Sequence, residues 1–305
     1  VRASWGVLAW NVAVVLWGAY VRASQSGAGC GSHWPLCNGT VEMHSPTWHT
    51  IVEFTHRLTS GTALVLVVVL AIATFLSTSK GHRARTASAW AAFFMFNEAL
   101  LGALLVLLKY VAKDQSIGRA VYLCAHSANT LLLLAAIALS AYWLTFPEDA
   151  LRPRSVSVKP IAWIAPFGAV ILTLLAATTG AIAALGDTLF PASSLHQAWA
   201  QDFAANSHYA LRLRGLHPLS ATLLLGYVIW LLRKKSLLDP LARSLVRITF
   251  ALLLLQYALG LADVLLLAPL WLQIVHLFWA DLFWIALVLM LARTQPRLTA
   301  ISEAA

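Results

Sequence analysis

The stretch EFTHRLTSGTALVLVVVLAIATF, residues 53–75, decides the fold. After Arg57 it runs to Phe75 without an Asp, Glu, Lys or Arg. A helix rises about 1.5 Å per residue, so roughly 20 such residues cross the hydrocarbon core of a bilayer. Read this way, the stretch is a membrane helix with a carboxylate, an imidazole and a guanidinium crowded at one end. The whole chain shares its character: 60% of residues are hydrophobic, 11% are charged and the mean hydropathy is +0.76, outside the range of an ordinary soluble domain.

Apolar runs of spanning length fall at roughly 5–22, 52–78, 88–108, 121–146, 161–186, 212–232, 245–268 and 271–292. The last two are parted only by a tight turn at Ala268, Pro269 and Leu270. The expectation is an all-α integral membrane protein with eight transmembrane helices. The first run leads straight into the rest with no small-residue cleavage site, so it reads as a span rather than a signal.

Basic residues set the orientation. With a cytoplasmic N-terminus, the inner segments hold Arg2; Lys80, Arg83 and Arg85; Arg152, Arg154 and Lys159; Arg233, Lys234, Lys235, Arg243 and Arg247; and Arg293 and Arg297. These are fourteen of the twenty-one Lys and Arg, and they place both termini in the cytoplasm. The formal charge of +9 is thus a topology signal with attraction to anionic headgroups. A nucleic-acid partner would need a basic soluble domain, which the sequence lacks.

The polar segment Glu148 to Pro160, with Pro153 and several charges, divides the chain. It is expected to be a cytoplasmic linker, 148–160, between an N-terminal half, 1–147, and a C-terminal half, 161–305. The halves repeat features in order. Glu53-Phe-Thr-His56-Arg57 opens the second span, and Arg214-Gly-Leu-His217-Pro218 opens the sixth. Glu98 with Gly102 matches Gln256 with Gly260, and His126 matches His276. Four spans per half is an even number, so the fold expected is two pseudosymmetric parallel four-helix bundles.

His56, His126, His217 and His276 each lie just inside the start of an even-numbered span, hence at one depth near the outer face. A single membrane histidine is usually a packing residue; four at matched depth point to metal or haem ligation. One imidazole from each of two helices can sandwich a haem iron, which pairs His56 with His126 and His217 with His276. Arg22, Arg57, Arg212 and Arg214 sit near the same face, where planar guanidinium groups suit the two propionates of a haem. The plain alternative for each is a side chain snorkelling to the interface.

Glu53 lies three residues before His56 and four before Arg57. Its counterpart in the second half is Arg214, a reversal of charge. One half therefore reads as a passive haem site and the other as a place for chemistry that needs a carboxylate; a surface Glu53–Arg57 ion pair is the competing account. Cys30 and Cys37, with six residues between them in an outward Gly- and Pro-containing loop, can form a disulfide. With His33 they could instead bind a metal. Cys124 reads as a small core residue. Glu98, Asp263 and Asp281 lie inside spans, where hydrogen bonding between helices is the favoured account over function.

These residues resemble haem A synthase. The likeness rests on Ser24-Gln-Ser-Gly27 before Cys30-x6-Cys37, on Glu53-x-x-His56-Arg57, and on His126, His217 and His276 across eight spans. The compact length is similar to prokaryotic members, which implies a prokaryotic plasma membrane. The resemblance implies oxidation of a methyl group of haem O, through hydroxylated intermediates, to the formyl group of haem A. It implies haem b as cofactor on His217 and His276, substrate haem on His56 and His126, and a catalytic Glu53. The implied partners are a haem O synthase (a farnesyltransferase) and the assembly of terminal haem-copper oxidases, with room for a homo-oligomer. Some relatives carry a second cysteine pair in the third outer loop; this chain does not, so a mechanism needing two disulfides is not expected here. Two other classes fit the histidines: a di-haem b-type electron-transfer protein, and a haem transporter.

Overall fold

Thr47 ends the first long loop and starts a helix. Its hydroxyl accepts the backbone N–H of Thr50 at 3.2 Å, satisfying one of the four donors that a helix start leaves unpaired. The hydroxyls of Ser116 and Ser194 and the rings of His82 and His208 do the same at four further starts. The computed structural model describes residues 1–40, 45–146, 161–233 and 240–294. It contains α1 (Arg2–Ala23), α2 (Trp48–Ser77), α3 (Arg83–Leu107), α4 (Ile117–Thr145), α5 (Ile161–Leu189), α6 (Leu195–Phe203), α7 (Tyr209–Arg212), α8 (Leu216–Arg233), α9 (Pro240–Leu265) and α10 (Leu270–Thr294). No strand forms among the described residues.

Seven helices, α1 to α5, α9 and α10, are long and apolar enough to cross a membrane. The chain is an all-α membrane protein. The expected sixth span is the exception, because α8 is not among the seven and begins at Leu216 rather than at 212. Arg212 closes the short α7, residues 213–215 turn, and Pro218 sits in the first turn of α8, where its missing N–H leaves no bond unmade. Elsewhere α2 starts at Trp48, ahead of the expected 52, and α5 runs past 186 to Leu189, taking Asp187 out of the outer loop. That loop also contains α6, which the apolar pattern did not signal. The linker 148–160, with Arg152, Arg154 and Lys159, lies outside the described residues, as do Lys234, Lys235 and Arg297.

Packing follows chain order: α1 on α2, α2 on α3, α3 on α4, and α4 back on α1. Then α5 packs on α8, α8 on α9, α9 on α10, and α10 back on α5. Contacts of α4 with α5 and α10, and of α1 with α10, join the two sets. At this seam Leu134, Ile137, Trp284 and Leu287 are buried, and the Trp284 indole donates to the carbonyl of Leu131 at 2.6 Å. Outward, α2 presents Leu58, Val65, Val69, Ile72 and Leu76, all exposed on one stripe as a lipid-facing helix requires.

Candidate functional site

Helix register brings His217 and His276 together from α8 and α10. Their ring centroids are 6.2 Å apart and their planes cross at 85°. Two imidazole nitrogens on opposite sides of one ion, at about 2 Å each, hold their centroids about 6 Å apart, so the pair fits a two-histidine site. Nδ1 of His217 lies 2.9 Å from the carbonyl of Ala176 on α5, a bond it makes as the donor, which leaves Nε2 with the free lone pair. The Gln256 amide donates to Nε2 of His276 at 3.1 Å.

In the first set of helices His56 of α2 and His126 of α4 are electrostatic neighbours. Nδ1 of each, like that of His276, is buried without a partner among the described residues. Unpaired buried imidazole nitrogens suit rings that also bind something else. Nε2 of His126 is 3.5 Å from Oε1 of Glu98, whose carboxylate also accepts the Asn129 amide at 2.6 Å and the Thr130 hydroxyl. Glu98 thus makes the expected bonds between α3 and α4. Oδ1 of Asp263 and Oδ2 of Asp281 are buried with no partner among the described residues.

Glu53 is only 3% exposed, so its ion pair with Arg57 is buried rather than superficial. Its Oε2 accepts the backbone N–H of Cys30 at 2.8 Å, and its Oε1 accepts Nε of Arg57 at 3.1 Å together with Nη2. Arg57 reaches on to the carbonyls of His33 at 2.7 Å, Pro35 at 3.3 Å and Leu36 at 2.9 Å. The pair therefore ties the loop between α1 and α2 onto α2. Within that loop Cys30 and Cys37 form a disulfide, with Cα atoms 4.4 Å apart, which replaces the alternative of a metal site with His33. Among the described residues no group of three or more His, Cys, Asp and Glu is arranged to hold a metal ion.

The other arginines are also engaged. Arg22 donates to the Ala184 carbonyl at 2.9 Å, to the Thr188 hydroxyl at 3.1 Å and to Gln273 at 3.4 Å, so it fastens α1 to α5 and α10. Arg214 holds Asp187 at 2.7 Å and Asp202 at 2.6 Å, pinning α6 over the end of α5. Burial works against its charge, but the two carboxylates more than offset that and raise its pKa above the ordinary arginine value. Arg212 is exposed and donates to the carbonyl of Ala205.

One polar residue at this end escaped the sequence reading. Arg119, 2% exposed, donates to the carbonyls of Ala112 at 2.6 Å and Asp114 at 2.7 Å. Its spacing of seven before His126 would have put it on the histidine face of α4, had the span not been started at 121. Cys124 donates to the Thr178 carbonyl at 3.5 Å and lines an apolar groove between α4 and α5 with Val121, Ile182 and Leu213.

A family model described as cytochrome oxidase assembly protein, COX15-CtaA, matches residues 2–288. The protohaem IX farnesyltransferase of Thermus thermophilus is 43% identical over 291 residues, which are 93% of this chain and 46% of that protein. The chain thus spans about half the length of that relative. The haem A synthase of Halalkalibacterium halodurans is 31% identical over 261 residues, 83% of each chain. The haem A synthase of Bacillus cereus is 40% identical over 90 residues, 30% of this chain.

Proposed function

The chain belongs to the COX15-CtaA family of cytochrome oxidase assembly proteins, and we propose that it is a haem A synthase. It oxidises a methyl group of haem O, through hydroxylated intermediates, to the formyl group of haem A. The observation that carries this reading is the two-histidine geometry at 6.2 Å in the second half, beside a first half that adds Glu53 to the same plan. Similarity to a haem A synthase over 83% of both chains supports it. The Thermus name covers a protein of which the match is only 46%, so prenyl transfer need not reside in the matched part.

In this reading α8 completes eight spans, arranged as two parallel four-helix bundles in residues 1–147 and 161–305. Both termini face the cytoplasm of a prokaryotic plasma membrane, and the histidines lie near its outer face. His217 and His276 hold haem b, which when bound supplies one-electron transfer. His56 and His126 hold the iron of the substrate haem. Arg22, Arg57, Arg212 and Arg214 line the end where its propionates meet water, and Arg212 has the least to give up there, a neutral carbonyl. Glu53 takes a proton from the substrate as its methyl carbon is oxidised or stabilises positive charge developing there. Haem O reaches the site from a farnesyltransferase, and haem A leaves for terminal oxidases.

The test is expression in a host that makes haem O but no haem A, followed by extraction and mass identification of haems. Hydroxylated or formyl haem, lost in His56→Ala and diminished in Glu53→Gln, is the expected result. A second reading, a di-haem electron carrier, is favoured by one fact: both oxygens of Glu53 are already held by protein donors. Haem b alone, with haem O abundant and an electron acceptor present, would establish that reading and overturn ours.

A further inference from the structure

Four glycines stand against the four histidines. A Cβ on Gly18 of α1 would lie 2.9 Å from Cε1 of His56, one on Gly180 of α5 3.0 Å from Cε1 of His217, and one on Gly260 of α9 3.1 Å from Cε1 of His276. On Gly102 of α3 it would lie 3.8 Å from Cε1 of His126. Carbon atoms are at ease about 3.5–4.0 Å apart, so a Cβ at any of the first three places would push its ring aside by some tenths of an ångström, while the fourth is ordinary contact. All four are helical, and none has the positive φ found at Gly31, Gly39 and Gly81. Glycine weakens a helix relative to alanine, so backbone conformation does not explain these residues. Close approach of a ring does.

The order glycine, histidine, glycine, histidine occurs in both halves: Gly18, His56, Gly102, His126, then Gly180, His217, Gly260, His276. Each glycine comes from the helix that precedes its histidine's helix among the long ones.

We propose that Gly18, Gly180 and Gly260 are positioning residues: their bare Cα surfaces let the Cε1 edges of His56, His217 and His276 come up against a neighbouring helix, which fixes each imidazole for haem ligation. The proposal rests on the haem reading above and extends it. Both rings of the second half are held this way, as suits a resident cofactor. In the first half His126 keeps clearance over Gly102, as suits a site through which a substrate must enter and leave.

The test uses the full chain in nanodiscs, purified from a haem-replete host. Haem per protein, the low-spin EPR signal and the midpoint potential are measured for Gly18→Ala, Gly180→Ala, Gly260→Ala and Gly102→Ala. Variants of His56 and His217 to Ala assign each signal to its half. Gly61→Ala on α2 and Gly226→Ala on α8 are the controls, since a Cβ at either meets nothing within 4 Å. Gly180→Ala and Gly260→Ala should each shift the second-half signal or lower its haem content about tenfold, with the first-half signal unchanged as proof of folding. Gly18→Ala should do the converse, and Gly102→Ala and the controls should match the wild type. Wild-type spectra in Gly180→Ala and Gly260→Ala, or loss of both halves together in every variant, would overturn the proposal while leaving the haem reading intact. A wild-type protein that carries no haem would overturn the haem reading itself.

Discussion

Replacing Arg57 by alanine should release the loop between α1 and α2 from α2. The Arg57 and Glu53 side chains are 11% and 4% exposed, and Arg57 also donates to three loop carbonyls. Removing one member of a buried ion pair costs about 3–5 kcal/mol, because the remaining charge is left uncompensated. The loop can relax and admit water, so the lower end, about 3 kcal/mol, is the working figure. At about 1.4 kcal/mol per decade, the open population of the loop rises on the order of 100-fold. Cys30 and Cys37 are 0% and 2% exposed, so a reductant reaches their sulfurs only through that opening. The assay is the rate of disulfide reduction by dithiothreitol in nanodiscs, read by alkylation and mass. A rate about 100-fold above wild type is expected, with Arg57→Lys between, since lysine keeps the charge and loses the fork. A rate within about threefold of wild type, well under 1 kcal/mol, would refute the claim that this ion pair holds the loop.

Arg214→Ala removes the clamp on Asp187 and Asp202 and should cost about 2 kcal/mol after discounting for partial exposure; faster hydrogen exchange confined to residues 195–203 and the end of α5 is the readout. Trp284→Phe removes the indole bond that joins α10 to the Leu131 carbonyl of α4, which keeps its helical N–H donor, and should lower stability by about 1 kcal/mol, measured as an earlier thermal transition in detergent. Glu98→Ala takes one of two acceptors from the Asn129 amide and from the Thr130 hydroxyl, which keep the carbonyls of Phe94 and His126; at roughly 1 kcal/mol or less per bond in lipid, the expected effect is a small loss of stability with a clear shift in the His126 ring resonances.

The fold was legible where its physics is one-dimensional. An apolar run of spanning length has few alternatives in a bilayer, so α1 to α5, α9 and α10 stand close to where the pattern puts them. The pattern fails where polar side chains reshape a helix end. Arg212 and Arg214 looked like the polar start of one span, but Arg214 turns back to bind Asp202 of α6 and the helix breaks between them. The candidate site was legible as a list of histidines, because depth follows from position in a span. Their orientation was not, since that depends on glycines of other helices, 16 to 38 residues away in sequence. The burial of Glu53 was likewise invisible, because it needs the Cys30 amide brought over by the loop.

What separates the halves is charge around a shared skeleton. The glycines and histidines recur, yet Glu53 is matched by Arg214 and Glu98 by Gln256. Each change removes a carboxylate from the second half, where Gln256 offers His276 a neutral amide and Ala176 fixes the tautomer of His217. A site that only exchanges electrons works best with ligands whose protonation does not change; a site that oxidises carbon must also dispose of protons. The reversal at Arg214 is not open to simple exchange. Arg214→Glu would set a third carboxylate beside Asp187 and Asp202, 2.7 and 2.6 Å from where the guanidinium now donates, and like charges so close cannot all remain ionised. A variant meant to place a working carboxylate at position 214 must therefore replace both aspartates as well.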